Sequence, residues 1–403
     1  MADIRPFRAL RPNCKTAAEV VSYPPDRYSP LELKRHLQEH PTSFLQVIHP
    51  DVADGKPTPA GSEARLKKTR KRFEAFIQSG TLQQDELPGY YIYRQIKDGQ
   101  SYTGIIASIA VADYFNGIIK THEQTLEPRE RKLQQYLEVC GFNAEPVLFA
   151  YPQLPSIQGH LNRLTQTAPE TQFYDFEGVY HQIWPVFDSV VINAWQTAFQ
   201  SLEAVYIADG HHRSASSARL WQSKSGSEAH PFEHYLGIFF AEEQLRIYEF
   251  NRAVKINAKQ DIERLKSECQ KWGNLETIRA YQAPKHQGQF VWFAQNHWYC
   301  WTLSEHYRKD RLDTELLNQC ILEPVFQIFD LRNDTRVSFI PGVKSLDQSL
   351  QFIRNEKADI LFMLHPVTMQ QLKQVALANR IMPPKSTWVE PKLLSALCVY
   401  SLF

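Results

Sequence analysis

The sequence feature that most constrains the fold is a strand-to-helix junction near the middle of the chain, within the segment ADGHHRSAS. Residues Val205 to Ala208 are apolar and β-prone, residues Ser216 to Trp221 continue as helical turns, and Gly210 marks the turn between them. A helix that opens there directs main-chain N–H groups and the positive end of its dipole toward the space of Arg213 and Ser214. The junction therefore predicts a phosphate site that combines charge, guanidinium geometry and main-chain donors.

A simpler interpretation is that the two histidines and the arginine cap a helix and pair with surface carboxylates. A cap needs only one or two polar groups, and this junction has more, which favours a binding site. The chain contains neither the Walker pattern Gly-x-x-x-x-Gly-Lys-Ser/Thr nor the dinucleotide pattern Gly-x-Gly-x-x-Gly. A nucleotide would therefore be held in another way.

Composition sets outer limits on fold and partners. A chain of 403 residues with 43% hydrophobic content can bury one large core or two to three modest ones. Its 45 basic and 44 acidic residues balance to +1, so no global charge indicates nucleic acid or an anionic membrane as a partner. The six cysteines form no Cys-x-x-Cys pair, which disfavours a zinc site and a disulfide framework. Without a signal-peptide or membrane-span pattern, we expect a cytoplasmic protein.

The alternation of predicted strands and helices indicates an α/β (mixed α+β) fold, in which a mixed sheet is flanked by helices. The elements that carry this prediction are the strands 90–95, 101–111, 179–186, 245–250 and 394–402, and the helices 63–78, 127–139, 189–200, 260–272 and 314–329. We expect two domains: a nucleotide- or phosphate-binding α/β core, residues 1–255, and a smaller α+β lobe, residues 256–403. The last strand and the MPPKSTW loop of that lobe are expected to pack back on the core.

Two further segments carry charged or polar side chains. The helix 63–78 is rich in Lys and Arg, but it lacks interleaved aromatic residues and is more typical of a solvated helix face than of a nucleic-acid site. The segment MPPKSTWVEPK, which includes Lys385 and Thr387, is too polar to be only a connector. The alternative for this segment is a rigid proline turn that holds the C-terminal strand.

Four motifs in this order resemble those of the bacterial family known as domain of unknown function 1015: IRPFRALRP, NGIIKTHE, ADGHHRSAS and MPPKSTWVEPK. The third is also similar to the phosphate-binding signature of the ParB/sulfiredoxin superfamily, whose free-serine kinases have an Asp-Gly-His-x-Arg version. This resemblance implies a ParB/sulfiredoxin-like core in which Arg213 binds phosphate. In those kinases a glutamate in an earlier loop is the base, and Glu123 is its counterpart here. The separation of Glu123 from Asp209 is longer than a minimal domain of that superfamily needs.

The residues and the resemblance together imply a kinase that uses Mg²⁺ and transfers a phosphoryl group from ATP or ADP to the hydroxyl of a small metabolite, most simply free L-serine giving O-phosphoserine. Either Glu123 or Asp209 serves as the base, and His122 also fits as a satisfied surface histidine. The assigned residues are catalytic Glu123, Asp209 and His211, phosphate-binding Gly210, His212, Arg213 and Ser214, and substrate-binding His122, Thr125, Lys385 and Thr387; no residue is assigned as a metal ligand.

Two other function classes remain open at this point. One is a ParB-like switch that binds a nucleotide without a small-molecule acceptor, and the other is a redox repair enzyme like sulfiredoxin. The second requires a reactive cysteine beside the phosphate loop, and no cysteine is adjacent in sequence. We expect a small-molecule partner, no nucleic acid and no membrane, and a homodimer is an open alternative.

Overall fold

The computed structural model describes residues 1–51, 55, 57–224, 231–258, 260–355 and 357–402. The Gly and Pro residues of the segment 51–62 predict an exposed loop, and part of that segment lies outside these described residues. The chain separates into two compact units, one formed by Met1–Leu245 together with Pro391–Phe403 and the other by Arg246–Glu390. The second unit is therefore continuous in sequence, whereas the first is assembled from the two sides of it.

The strands are numbered in chain order: β1 Ile4–Arg5, β2 Leu10–Pro12, β3 Leu82–Gln84, β4 Tyr90–Lys97, β5 Gln100–Ala110, β6 Ile119–Lys120, β7 Phe142–Asn143, β8 Val147–Tyr151, β9 Thr171–Tyr174, β10 Tyr180–Val186, β11 Val205–Asp209, β12 His234–Ala241, β13 Arg246–Tyr248, β14 Phe250–Val254, β15 Gly273–Ile278, β16 Gln289–Ala294, β17 His297–Leu303, β18 Val337–Pro341, β19 Ile360–Met363, β20 Trp388–Glu390 and β21 Tyr400–Ser401.

The described α-helices are Ala17–Val20, Pro30–Glu39, Leu45–Ile48, Glu63–Gln78, Ala112–Phe115, Glu127–Cys140, Pro155–Leu164, Ser189–Gln200, His211–Lys224, Asp261–Trp272, Glu305–Arg308, Asp313–Leu317, Glu323–Phe326, Leu346–Arg354 and Met369–Leu377. Short 3₁₀ turns and one π-helical turn, Asn318–Leu322, complete the list. None of the described helices combines the length and the apolar character that a membrane span requires.

The first unit is built on a nine-stranded mixed sheet. Its strand order is β6-β11-β8-β12-β5-β4-β10-β9, with β1 paired to β5. Strand β11 is parallel to β6 and antiparallel to β8, and β12 is parallel to β8. The strands predicted at 90–95 and 101–111 are present as β4 and β5, which form a hairpin joined at Asp98 and Gly99, both at positive φ. The predicted mixed α+β class with a mixed sheet and flanking helices is confirmed.

The core of this sheet is made by large aromatic side chains. Trp195 and Phe199 of the helix Ser189–Gln200 are fully buried and contact Tyr90 of the sheet, and Phe199 also contacts Phe239. Apolar residues recur along this helix with helical spacing, and Asp188 caps its start by accepting from the first main-chain N–H groups. The segment therefore buries one face on the sheet and begins where its cap lies.

The residues after 390 complete the first unit. Leu10 forms a bridge with Val399, Ser22 forms one with Ser395, and β21 pairs with β7. The predicted strand 394–402 is wrong in length, because only Tyr400–Ser401 has strand geometry. Ala396 has φ 65°, a left-handed conformation that interrupts an extended strand.

The second unit contains a six-stranded antiparallel sheet with the order β15-β17-β16-β19-β14-β18. The predicted strand 245–250 is instead two strands that break at Glu249 and join different sheets, since β13 pairs with β20 and β14 pairs with β18 and β19. The predicted helix 314–329 is also different: its middle is the π-helical turn, and it ends at Gln327, which has φ 55°.

We predict that Gly104→Ala destabilises the first unit, because a Cβ there would lie 2.8 Å from the ring of Phe240 and 2.9 Å from the carbonyl oxygen of Phe239. Overpacking of this kind costs about 1–3 kcal/mol. The matched control is Gly159→Ala in the helix Pro155–Leu164, where nothing lies within 4 Å of the added Cβ. That change should stabilise by about 0.5–1 kcal/mol. Urea denaturation of both variants measures the difference, and equal free energies of unfolding would contradict the packing argument.

Candidate functional site

The candidate site lies where β11 ends and the helix His211–Lys224 begins. The helix starts at His211, several residues earlier than the helical turns expected from Ser216 onward, so both histidines and the arginine belong to its first turn. Gly210 joins the two elements with φ +104°, a conformation that L side chains rarely adopt. A Cβ at this position would also lie 3.0 Å from the guanidinium of Arg213. Only glycine allows this turn and this close approach together.

The guanidinium of Arg213 is fixed over this turn by two acceptors. Its Nη2 donates to Oδ2 of Asp209 at 2.8 Å, and its Nη1 donates to the carbonyl oxygen of Pro146. The Arg213 side chain is 26% exposed and that of Asp209 is 48% exposed. The first main-chain N–H groups of the helix point out of the same end. A cation and main-chain donors therefore face a partly open space, which is the arrangement that binds a phosphate.

Two histidines and a carboxylate form the second part of the site. The main-chain N–H of His122 donates to Nε2 of His211 at 3.3 Å, and Nδ1 of His211 lies 3.4 Å from Oε2 of Glu123. An N–H can only donate to an unprotonated ring nitrogen, so the proton of neutral His211 belongs on Nδ1. Neutral His211 therefore places its protonated Nδ1 3.4 Å from the carboxylate of Glu123 without carrying charge.

Burial keeps both imidazoles neutral. His122 is completely buried, its ring meets that of His211 edge to face at 4.4 Å, and neither of its ring nitrogens has a hydrogen-bond partner. Desolvation lowers the pKa of His122 to about 4, with Asp209 opposing the shift. Desolvation also lowers the pKa of His211 well below its ordinary value, and the neighbouring His122, His212 and Arg213 add to that effect. Neither ring is charged at neutral pH.

One ligand atom each from His122, Glu123 and His211 lies within 4.8 Å of the others, close enough to share a metal ion. The tautomer of His211 opposes this use, because its Nδ1 carries the proton and its Nε2 faces a main-chain N–H. Magnesium instead prefers oxygen ligands and usually takes one or two carboxylates together with substrate phosphates. The carboxylates of Glu123 and Asp209 fit that ion better than the imidazoles do.

The structure brings Glu123, Asp209, Gly210, His211 and Arg213 together, as predicted. It places Ser214 differently, because that side chain is fully buried and its hydroxyl is hydrogen-bonded to the hydroxyl of Tyr235 at 2.7 Å. The main-chain N–H of Ser214 also donates to the carbonyl of Gly210 at 3.1 Å. Ser214 thus anchors the helix start to β12 and does not present a donor to a phosphate.

The predicted substrate-binding residues have separate environments. His122 is buried behind His211, and half-buried Thr125 donates its hydroxyl to Glu130 in the following helix. Lys385 and Thr387 belong to the second unit, where the ammonium of Lys385 lies 5.5 Å from the centre of the Phe250 ring. A role for these residues in substrate binding stays a prediction. His212 is half-buried, and its carbonyl accepts from the hydroxyl of Ser216.

A mainly apolar cavity of about 230 Å³ borders Arg213. Its walls come from the helices Glu127–Cys140 and His211–Lys224, from the start of the chain, and from β7, β8 and β12. Besides Arg213, the lining residues are Pro25, Phe44, Ile48, Leu133, Tyr136, Leu137, Phe142, Asn143, Ala144, Glu145, Val147, Ser216, Ser217, Tyr235 and Leu236. No local sequence signal predicts this cavity. The same holds for Pro146, the partner of Arg213, and for Tyr235, the partner of Ser214, because sheet pairing brings them to these residues.

The chain belongs to the family described as "Protein of unknown function (DUF1015)", whose model matches residues 4–347. No curated protein matches it. It is similar to a free serine kinase solved in complex with AMP (14% identity, 72% of this chain and 92% of that chain, TM-score 0.36). It is also similar to C-terminally truncated SbnI from Staphylococcus aureus (13% identity, 72% of this chain and 87% of that chain, TM-score 0.39). A third similar structure is a conserved hypothetical protein from Pyrococcus furiosus (15% identity, 73% of this chain and 92% of that chain, TM-score 0.35). The family description names no activity.

We predict that the free energy of unfolding falls as the pH is lowered from about 6.5 toward 4. The pKa of His122 is about 4 in the folded chain and about 6.5 when unfolded, so between these values protons bind the unfolded chain preferentially. The neutral ring contributes fully above pH 6.5, and each such histidine gives a slope of about 1.4 kcal/mol per pH unit in this window. Urea denaturation across the window measures the slope.

The variant His122→Leu should flatten that slope, because it removes one of the two buried imidazoles of the candidate site, those of His122 and His211. The control His306→Gln changes an exposed histidine of the second unit and should leave the slope as in the parent chain. An unchanged slope in His122→Leu would contradict the prediction, because it would show that the pKa of His122 in the folded chain is close to its ordinary value.

Proposed function

We propose that this protein is a kinase that transfers a phosphoryl group from ATP or ADP to the hydroxyl of a small metabolite, with free L-serine as the first acceptor to test. The observation that carries the proposal is the geometry of one helix start: within its first turn the guanidinium of Arg213 is held by Asp209, and Nδ1 of His211 lies 3.4 Å from the carboxylate of Glu123. Phosphoryl transfer requires mainly positioning and neutralisation of charge, together with a group that accepts the hydroxyl proton. This helix start offers all three.

The phosphates and the nucleobase of a nucleotide can be assigned to two neighbouring regions, the helix start and the apolar cavity beside Arg213. The phosphates would lie at the helix start, where Arg213 offers a guanidinium already aligned by Asp209 and Pro146. The apolar cavity of about 230 Å³ begins at the same arginine. It is smaller than the roughly 300–1,000 Å³ typical of a whole-ligand pocket, so it fits one part of a nucleotide, and its aromatic walls suit a planar base. The similarity of the motif ADGHHRSAS to the phosphate-binding signature of ParB/sulfiredoxin proteins supports the phosphate part of this assignment.

Magnesium would be held by Asp209 or Glu123 together with the nucleotide phosphates, where it would neutralise the charge that develops during transfer. We assign the base to Glu123, because its carboxylate is exposed and lies 3.4 Å from Nδ1 of His211. The carboxylate of Asp209, which the guanidinium of Arg213 binds, is the second candidate. The proton of the acceptor hydroxyl would pass to Glu123 as the hydroxyl oxygen attacks the terminal phosphorus of the nucleotide. The shortened nucleotide would leave with the electrons of the broken P–O bond.

The redox repair alternative has no support at this site. Neither the residues that line the cavity nor those of the Glu123–His211–Arg213 cluster include a cysteine, within the described part of the chain. Burial also raises the pKa of the Cys140 thiol to about 12, which makes it a poor nucleophile. The nucleotide switch remains the second candidate, because the phosphate site by itself does not require an acceptor.

We predict that catalysis and nucleotide binding can be separated by two substitutions. Glu123→Gln should lower turnover by roughly two to four orders of magnitude while leaving nucleotide affinity nearly intact, since it removes a proton acceptor. Arg213→Lys should weaken nucleotide affinity by about tenfold or more, because it keeps the charge but loses the bidentate geometry. Calorimetry with ADP and a turnover assay measure the two effects.

The matched control for the first substitution is Glu127→Gln, at an exposed carboxylate that begins the following helix, Glu127–Cys140, and pairs with Arg131 and Arg219. It should retain both turnover and affinity. Near-normal turnover in Glu123→Gln would transfer the role of base to Asp209, and unchanged nucleotide affinity in Arg213→Ala would contradict the phosphate site itself.

The acceptor distinguishes a kinase from a switch. A kinase site that binds the acceptor hydroxyl leaves polar groups unpaired when the hydroxyl is missing, and such sites discriminate strongly. We therefore expect nucleotide consumption to rise with L-serine, with O-phosphoserine formed, and not with L-alanine. Stimulation by another small alcohol would keep the kinase and replace the substrate. Tight nucleotide binding with no stimulation by any acceptor would contradict the kinase and favour the switch.

A further inference from the structure

The second unit contains a buried cation in the interior of its sheet. Arg252 lies in the middle of β14, with Phe339 of β18 and Phe362 of β19 as its register partners. The side chain is completely buried, and its guanidinium lies 4.6 Å from the centre of the Phe339 ring. Phe250 and Val254 share its face of the strand, so an arginine takes a position that the strand pattern reserves for an apolar residue. The other residues of β14 do not explain why an arginine stands at position 252.

The hydrogen bonds of Arg252 do not satisfy its guanidinium. Nη1 donates to the carbonyl of Phe250 at 2.6 Å, and Nη2 donates to the carbonyl of Pro384 at a long 3.4 Å. Its Nε–H has no acceptor, and among the described residues no carboxylate forms an ion pair with it. Burial lowers the pKa of Arg252 to about 9, so the group is still charged at neutral pH. A charge in such a place is normally paired with an anion.

A second cation lies close to the first. Lys385 directly follows Pro384, whose carbonyl accepts from Arg252. The ammonium of Lys385 lies 5.5 Å from the centre of the Phe250 ring, and Phe250 precedes Arg252 by two residues on the same face of β14. Lys385 is exposed, has φ 55°, and forms no ion pair with a carboxylate of the described chain. The nearby carboxylate of Glu390 instead accepts from the indole N–H of Trp388 at 2.9 Å.

The loop that carries Lys385 is held in place beside these groups. The hydroxyl of Ser386 donates to the carbonyl of Pro383 at 2.7 Å and lies 3.0 Å from the hydroxyl of Thr314. Trp388 meets Phe250 edge to face at 5.7 Å. The MPPKSTW segment, which the proposed kinase chemistry does not use, therefore contacts Arg252 through Pro384 and contacts Phe250 through Lys385 and Trp388.

We propose that the unit Arg246–Glu390 binds a small oxyanion, a carboxylate or a phosphate group, on the guanidinium of Arg252 and the ammonium of Lys385. Arginine binds both anions through paired N–H groups, and aromatic walls strengthen such contacts by excluding water. The anion takes the place of the long bond to the Pro384 carbonyl and fills the open donors. The site lies wholly within the second unit and does not rest on the proposed kinase activity.

Calorimetric titration of the full chain with inorganic phosphate, at constant ionic strength set by sodium chloride, tests the proposal. The measurement is made in the parent chain and in Arg213→Ala, which removes the other candidate phosphate site. We expect saturable binding that survives Arg213→Ala, weakens about ten- to hundredfold in Arg252→Met, and weakens severalfold in Lys385→Glu. The control Lys344→Glu, at an exposed lysine of the same unit, should bind as the parent does.

Competition then identifies the source of the anion. Displacement of phosphate by L-serine assigns a carboxylate, displacement by ADP assigns a nucleotide phosphate, and either result supports the site. Absence of saturable binding in Arg213→Ala, or binding that Lys385→Glu retains in full, overturns the proposal. Circular dichroism checks the folding of each variant, and Lys385→Glu, at an exposed position, keeps the test decisive if Arg252→Met does not fold.

Discussion

The candidate active site depends on the absence of a side chain at residue 210. With φ +104°, Gly210 turns β11 into the helix His211–Lys224 within one residue, and the space beside its Cα is taken by the guanidinium of Arg213. That guanidinium in turn binds the last residue of the strand and the carbonyl of Pro146 just before β8. One small residue thus fixes the strand end, the helix start and the neighbouring strand in a single arrangement, and the position of the proposed phosphate site at the helix start follows from it.

The second constraint is electrostatic. Two adjacent imidazoles are buried beside a positively charged guanidinium, and that position is tolerable only because neither ring is protonated. Neutrality makes His211 useful, since its tautomer is set by the N–H of His122 and its remaining proton is offered to Glu123. The carboxylate is therefore oriented by a dipole, which preserves its capacity to accept a proton. A charged histidine at this place would hold the carboxylate as an ion pair.

Local patterns were sufficient where local chemistry decides. The helices Glu63–Gln78 and Ser189–Gln200 have the predicted bounds, because Ser62 and Asp188 cap their first turns. The turn at Gly210 was also predicted from the junction alone and is present, whereas the phosphate-binding role of Arg213 stays a prediction. The orientation of Ser214 toward Tyr235 could not be predicted, since 21 residues and the sheet pairing of β12 separate them. Arg252 can be recognised in the sequence as a charged residue within an otherwise mostly apolar strand. That no carboxylate pairs with it becomes clear only in the folded unit.

The assembly of the first unit from two separate stretches bears on the order of synthesis. Residues 246–390 leave the ribosome as one uninterrupted stretch and can fold as soon as they emerge, whereas the bridges from Leu10 to Val399 and from Ser22 to Ser395 must wait for the final segment. The N-terminal stretch therefore passes through translation with part of its core uncovered. A nascent chain that stalls within the second unit would carry the junction at Gly210 without the strand β21 and the bridges that close the fold of the first unit.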